Sequence, residues 1–132
     1  MGTMNYLLDT HTLLWALRDE IKLGQNALAI IENSNSPLFV SSVSAYEIMY
    51  KHQLGKLPEY DYLAKNFFDI LKRLNATELP LNMNHAHYAG KLKWNHRDPF
   101  DRLLVAQAVV DNLTLLTSDP IFKEIAFVTV VW

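Results

Sequence analysis

The chain has 132 residues, half of them hydrophobic and a fifth charged, which predicts one globular domain over residues 1–132 and excludes a disordered or fibrous protein. It contains no cysteine, which excludes disulfides and thiolate metal sites, and its apolar runs are too short to span a bilayer, so a cytoplasmic protein is expected. The formal net charge of −2 argues against a nucleic-acid-binding protein, because phosphate-binding domains are usually basic.

In the first half of the chain, short apolar runs alternate with helical patterns. Residues 4–8 form an apolar run that ends at Asp9, and residues 10–17 follow without a breaker, which predicts a buried strand and then a helix. A second helix is predicted to end near Asn33, and residues 38–40 are a second strand candidate. Ser41 or Ser42 is placed to cap a third helix that ends at Gly55.

The same alternation continues in the second half. Apolar residues recur every three or four positions over residues 58–74, the strongest helical pattern of the chain, and a short strand (76–79) and a weaker helix (83–92) follow. Asp98 and Pro99 are suited to cap and begin a buried helix that ends near Asp111. Residues 113–116 and 127–131 are predicted as final strands. The alternation predicts an α/β layer fold with a mainly parallel sheet.

Acidic residues follow three of the predicted strands. Asp9 ends the first, Glu47 lies in the helix after the second, and Asp119 follows the strand at residues 113–116. Asp98 and Asp101 begin the buried helix that leads into that strand. Because ligands bind beyond the carboxyl ends of parallel strands, these side chains are expected to meet at one edge of the sheet.

The later acids also have a purely structural explanation as helix caps. Asp98 and Asp101 fit a capping box, Glu47 follows Ser44 at the spacing of another, and Asp119 precedes a proline. This explanation predicts a non-enzymatic α/β module that acts through protein contacts. An acid at the end of a buried strand is harder to explain in this way, because a buried carboxylate costs several kcal/mol unless it is compensated.

Clustered carboxylates repel one another, and a hard divalent cation relieves that repulsion. Oxygen ligands favour Mg²⁺ or Mn²⁺, which are suited to phosphoryl chemistry. Zinc would require histidines, and His85 and His87 do not share a face of the predicted helix. Another metal-dependent phosphoesterase is a further alternative, although His11 stands where a haloacid-dehalogenase-type phosphatase needs a second Asp.

Four motifs in this order resemble the PIN domain family and, more narrowly, the VapC-type toxins of bacterial toxin–antitoxin pairs. They are Asp9-Thr10-His11-Thr12-Leu13-Leu14-Trp15, Ser44-Ala45-Tyr46-Glu47-Ile48, Asp98-Pro99-Phe100-Asp101-Arg102-Leu103-Leu104 and Leu116-Thr117-Ser118-Asp119. The resemblance covers residues 5–131. It implies a three-layer α/β/α sandwich, a metal-dependent endoribonuclease that cleaves RNA, a homodimer and a cognate antitoxin protein.

The resemblance also implies roles for individual residues. The family's metal-binding acids fall on the residues already found at the strand ends, namely Asp9, Glu47, Asp101 and Asp119. In this hypothesis Asp9, Asp101 and Asp119 hold one or two Mg²⁺ or Mn²⁺ ions. Glu47 completes the shell or orients the attacking water. The residues predicted to support the site are Thr10, Thr117 and the helix cap Asp98.

A candidate RNA surface lies in residues 85–97, where basic and aromatic side chains occur together. Lys93 and Arg97 are suited to bind phosphates and Trp94 to stack on an unpaired base. The alternative is a solvated helix end with a half-buried tryptophan. Lys51 and Arg102, close in sequence to the acids, are further candidates for phosphate contacts. Setting the ligand acids aside leaves a small basic excess, so the net charge does not exclude RNA.

Overall fold

The computed structural model describes residues 4–18, 20–55 and 58–132. Its strands and helices are β1 (Tyr6–Leu8), α1 (Thr10–Arg18), α2 (Gln25–Glu32), β2 (Leu38–Ser41), α3 (Ser42–Leu54), α4 (Glu59–Arg73), β3 (Thr77–Leu79), α5 (Met83–Lys91), α6 (Pro99–Val110), β4 (Thr114–Leu116) and β5 (Val130–Val131), with short 3₁₀ helices at Glu20–Lys22 and Pro120–Glu124. No helix in these ranges is both long enough and apolar enough to cross a membrane.

The strands form one parallel sheet in the order β3-β2-β1-β4-β5. β1 is central, and its last residue, Leu8, lies opposite Val40 of β2 and Leu116 of β4. The carboxyl ends of three neighbouring strands therefore lie side by side. The α/β fold with a parallel sheet is confirmed, and the residues that follow β1, β2 and β4 all emerge at one edge.

The hydrophobic core has two halves, one on each face of the sheet, and successive side chains of β1 enter opposite halves. Leu7 packs into a cluster with Val105 of α6 on one face of the sheet, whereas Leu8 packs with Leu13 and Leu63 on the other face. All of these side chains are almost fully buried. Successive strand residues point to opposite faces, so a strand covered on both sides reads as a continuous apolar run. The resulting three layers confirm the predicted α/β/α sandwich.

α3 begins and ends as its sequence predicts. The Ser41 side chain accepts a hydrogen bond from the Val43 backbone N–H, and Gly55 ends the helix in the left-handed conformation at φ 67°. The prediction for the last strand is too long, because only Val130 and Val131 pair with β4, and 61% of Phe127 is exposed. Val128 N–H donates to the Ile125 carbonyl, which closes a turn before the strand begins.

The polar side chain of Gln107 lies within the otherwise apolar middle of α6 and is fully buried. Its Oε1 accepts a hydrogen bond from Ser41 Oγ at 2.5 Å, and its Nε2 lies 3.4 Å from the carbonyl oxygens of Leu79 and Pro80. A buried amide requires such partners, since leaving it unpaired costs about 1–3 kcal/mol. These contacts fix α6 against the ends of β2 and β3. They help to hold α6, which carries Asp101, at the carboxyl edge of the sheet.

Candidate metal centre

Asp9 lies at the end of β1 and is buried. Its Oδ1 accepts a hydrogen bond from the Thr12 backbone N–H at 2.8 Å, and its Oδ2 accepts one from Thr117 Oγ1 at 2.5 Å. Burial raises the pKa of this carboxyl, although the bonds from Thr117 and Thr12 and the nearby His11 act in the opposite direction. Asp9 is therefore held in one orientation, while the cost of its burial is only partly offset.

Thr117 connects Asp9 with the loop that carries Asp119. The hydroxyl that donates to Asp9 also accepts a hydrogen bond from the Asp119 backbone N–H at 3.1 Å. Asp119 is exposed, and its Oδ1 accepts a bond from the Ile121 N–H at 3.0 Å, which caps the short helix as the structural explanation predicts. The predicted supporting position Thr117 is thus in contact with one candidate ligand and orders the backbone of another.

Glu47 does not cap α3, because the N-cap is Ser41 and Glu47 lies in the interior of the helix. It is buried, and its Oε1 accepts a hydrogen bond from Thr10 Oγ1 at 2.6 Å. Its Oε2 forms an ion pair with Lys51 Nζ at 2.5 Å. Burial lowers the pKa of Lys51, but the hydrogen bond and charge of Glu47 outweigh burial and raise it. Lys51 therefore stands beside the acids as a charged partner of Glu47.

The two acids at the start of α6 make different contacts, since Asp98 caps the helix and Asp101 contacts a histidine. Asp98 is the N-cap, and its Oδ1 accepts bonds from the backbone N–H groups of Phe100 at 2.9 Å and Asp101 at 3.2 Å. The capping-box prediction for Asp101 is wrong, because the Asp101 Oδ2 lies 2.6 Å from His96 Nε2. Burial raises the pKa of Asp101 to about 6, His96 opposes this shift, and the charges of Asp98 and Glu47 add to it.

This donor set fits a divalent cation. His96, Asp98 and Asp101 each offer one ligand atom, and the three atoms lie within 4.8 Å of one another. Asp9 is buried and Asp101 is half-buried. Both carboxyl groups have raised pKa values, so a cation bound beside them would stabilise their ionised forms. In the sequence, His96 lies within the basic and aromatic stretch at residues 85–97, and no ligand role is predicted for it. The sequence signal for such a role is that His96 closely precedes Asp98 and Asp101.

The residues of the candidate RNA surface differ in exposure. Lys93 and Arg97 are exposed. Trp94 is half-buried, its indole N–H donates to Glu124 Oε1 at 3.0 Å, and its ring lies 6.1 Å from that of Phe122, so it packs as in the structural alternative.

Arg102 binds the last turn of α5 and the backbone that follows it, and is not free to contact a phosphate. Its two terminal nitrogens donate to four carbonyl oxygens at 2.5–3.1 Å, those of Ala89, Leu92, Trp94 and His96. The guanidinium fork suits this task, because it presents several donors in one plane. The proposed phosphate contact at Arg102 is thus replaced by a structural role.

Arg102→Ala is expected to lower the free energy of unfolding by about 2–4 kcal/mol, because four partly buried backbone carbonyl groups lose a charged donor. Arg97→Ala is the matched control, since Arg97 is exposed and its loss should change stability by less than about 0.5 kcal/mol. Urea denaturation of both variants measures the difference. Equal stability of the two variants would contradict the structural role of Arg102.

The chain is similar in sequence to a known protein family and to a known ribonuclease. A family model for the PIN domain matches residues 6–128. Over 63 residues the chain is 33% identical to ribonuclease VapC16 of Mycobacterium tuberculosis, an alignment that covers 48% of this chain and 43% of that protein. The chain therefore aligns with less than half the length of this relative.

Solved structures with the same fold include two toxin–antitoxin complexes bound to DNA. VapBC2 from Rickettsia felis, bound to a promoter fragment, contains a chain that matches with a TM-score of 0.70 at 19% identity, over 97% of this chain and 98% of that one. DNA-bound VapBC from Salmonella typhimurium matches with a TM-score of 0.72 at 16% identity, over 98% of both chains. At such identities these neighbours support the fold alone. The family match over nearly the whole chain shows that this protein belongs to the PIN domain family.

Proposed function

We propose that this chain is a Mg²⁺- or Mn²⁺-dependent endoribonuclease and the toxin of a VapBC-type toxin–antitoxin pair. The observation that carries the proposal is the arrangement of acids at the carboxyl edge of the sheet. There, the carboxylates of Asp9, Glu47 and Asp101 are buried or half-buried, and each is held by a hydroxyl or imidazole group; the pKa values of Asp9 and Asp101 are raised. Helix capping alone does not require such groups. The family membership and the name of the mycobacterial relative support RNA as the substrate.

In this function Asp9, Asp101 and Asp119 hold the cation. When bound, it supplies positive charge at the scissile phosphate and lowers the pKa of water. Thr117 fixes the Asp9 carboxylate, and Thr10 fixes one oxygen of Glu47. This contact supports the proposed role of Glu47 in orienting the attacking water. Cleavage by water with departure of the 3′ oxygen leaves a 5′-phosphate and a 3′-hydroxyl.

Lys93 and Arg97 are the remaining candidates for phosphate contacts, since their side chains are exposed. Lys93→Ala and Arg97→Ala are expected to weaken RNA binding at low salt and to reduce the slope of log K against log salt by about 0.7 each, the value for one contact to a single strand. Lys65→Ala, an exposed change on α4, is the control. An unchanged slope in both variants would remove this surface from the proposal.

The alternative function is a non-enzymatic interaction module, and it is favoured by one observation, that Asp98 and Asp119 do cap helices. Titration with Mn²⁺ in a calorimeter separates the two functions. The nuclease proposal predicts a Mn²⁺ site in the wild-type protein that Asp9→Asn weakens at least about tenfold. Asp69→Asn, on the exposed side of α4, should leave the affinity unchanged. The interaction module predicts no site that depends on Asp9.

The proposed partners are a cognate antitoxin and a second copy of the chain. The toxin–antitoxin complexes among the structural neighbours support an antitoxin. An apolar surface on α3 and α4 supports self-association, since 73% of Phe68 and 43% of Met49 are exposed. Light scattering of the purified chain at micromolar concentration is expected to give the mass of a dimer, and a monomer mass would contradict it.

A further inference from the structure

The His96 side chain is held rigidly at the metal-binding edge. Its backbone carbonyl accepts a bond from Arg102 at 3.1 Å, and its ring packs against that of Trp94 with centroids 4.9 Å apart. Its Nε2 lies 2.6 Å from Asp101 Oδ2. The ring is thus fixed at its backbone, on its face and at its tip, which is more restraint than a solvated histidine in a basic RNA-binding stretch would require.

We propose that His96 supplies a nitrogen ligand to the metal centre, so that this chain binds Mn²⁺ and later first-row divalent ions in preference to Mg²⁺. The inference rests on the proposed function, because it assumes that Asp101 is a metal ligand. Mg²⁺ is bound in proteins almost entirely by oxygen, whereas imidazole suits first-row transition ions. A nitrogen donor within the site therefore changes which cation the site prefers.

The surrounding donors are consistent with this preference. One ring nitrogen of His96 and one carboxylate oxygen from each of Asp98 and Asp101 lie within 4.8 Å of one another. Asp98 Oδ1 is already used by two backbone N–H groups, so Asp98 has only its second oxygen to contribute. Because one oxygen of Asp98 is already hydrogen-bonded, an ion near Asp101 needs a further ligand atom. The ring of His96 lies beside Asp101 and can provide it.

A different role for His96 would use the same contact. If His96 only donates a hydrogen bond to Asp101, it is a positioning residue outside the metal shell. Its removal would then weaken Mg²⁺ and Mn²⁺ binding by similar factors, and a side chain that restores a donor to Asp101 would recover both. If His96 is a nitrogen ligand, its removal should instead lower the affinity for Mn²⁺ more than that for Mg²⁺, and a side-chain amide should not restore it. The bound Mn²⁺ should also show coupling to a ¹⁴N nucleus.

The test uses the full chain without RNA, with Mn²⁺ and Mg²⁺ as the probes. The variants are His96→Gln, which keeps an N–H donor and offers an oxygen, and His96→Phe, which keeps the ring packing against Trp94. His87→Gln, an exposed change on α5, is the matched control. Electron paramagnetic resonance measures Mn²⁺ affinity, competition measures Mg²⁺ affinity, and pulsed measurements on ¹⁴N detect an imidazole bound to Mn²⁺.

We expect ¹⁴N coupling in the wild-type and His87→Gln proteins and none in either His96 variant. Mn²⁺ affinity should fall about 10–100-fold in both His96 variants, and Mg²⁺ affinity by less than about threefold in His96→Gln. Wild-type binding without ¹⁴N coupling, or equal losses for the two ions in His96→Gln, would overturn the inference and leave the nuclease proposal intact. Mn²⁺ binding that Asp101→Asn does not weaken would instead overturn the nuclease proposal.

Discussion

Asp101→Asn is expected to reduce metal-dependent RNA cleavage at least about 1,000-fold while stabilising the protein in EDTA. Cleavage is lost because an amide is a poor ligand for a hard cation. Stability rises because burial, with the charges of Asp98 and Glu47, disfavours the ionised carboxyl and raises its pKa to about 6. From the ordinary value of 3.8, the gain amounts to about 1–3 kcal/mol, or several degrees in the melting temperature.

The gain in stability has a defined pH dependence. The pKa of Asp101 is higher in the folded protein than in the unfolded chain, so ionisation of this group destabilises the fold. The cost is fully present above about pH 6 and disappears as the pH falls toward 4. Asp101→Asn should therefore raise the melting temperature in EDTA at pH 8 and much less at pH 4.5. Asp69→Asn is the control, and a lower melting temperature for Asp101→Asn at pH 8 would contradict the repulsion argument.

Asp9→Asn is expected to abolish cleavage without unfolding the chain. Asparagine keeps an oxygen acceptor for the Thr12 N–H, and its NH2 group can donate to the Thr117 hydroxyl oxygen in place of the bond that Asp9 accepts from it. The substitution removes the negative charge that the cation requires. Circular dichroism checks the fold, and cleavage of a fluorescent RNA in Mn²⁺ measures activity. A folded variant with more than a tenth of the wild-type rate would contradict the assignment of Asp9 as a ligand.

Thr117→Val extends this prediction to the residue that orients Asp9. The substitution removes both the bond to Asp9 and the acceptor for the Asp119 N–H, so cleavage should fall about 10–100-fold and need more Mn²⁺ for half activation. Thr117→Ser keeps the hydroxyl and should restore most of the rate. Equal losses in Val and Ser variants would indicate that the methyl group, and not the hydrogen bond, is required.

Features of the fold that depend on local sequence were predicted correctly. α3 begins at a serine cap and ends at a glycine with positive φ, and Asp98 caps α6, because each of these signals acts within one helical turn. The shared edge of Asp9 and Asp119 was also predictable, since apolar strands that alternate with helices imply a parallel sheet. The last strand was overestimated because β-rich composition does not distinguish Phe127 in a turn from Val130 in a strand.

The contacts within the site could not be predicted in the same way. Asp101 fits a capping box in sequence, yet its carboxylate turns toward His96, and Arg102 donates to the last turn of α5 and the backbone after it. Both outcomes depend on how the segment between α5 and α6 folds back onto α6, which is a tertiary property. The spacing of Glu47 from Ser44 was likewise misleading, because the helix begins at Ser42 and the Glu47 side chain meets Thr10 of another element.

The most direct test of the central claim is RNA cleavage by the purified chain, wild type beside Asp9→Asn, with Mn²⁺ or with EDTA. The account predicts fragments with 5′-phosphate ends from the wild-type protein in Mn²⁺, and none in EDTA or with Asp9→Asn. Cleavage that persists in EDTA, or that is equal in the wild type and Asp9→Asn, would contradict a metal-dependent centre built on these acids.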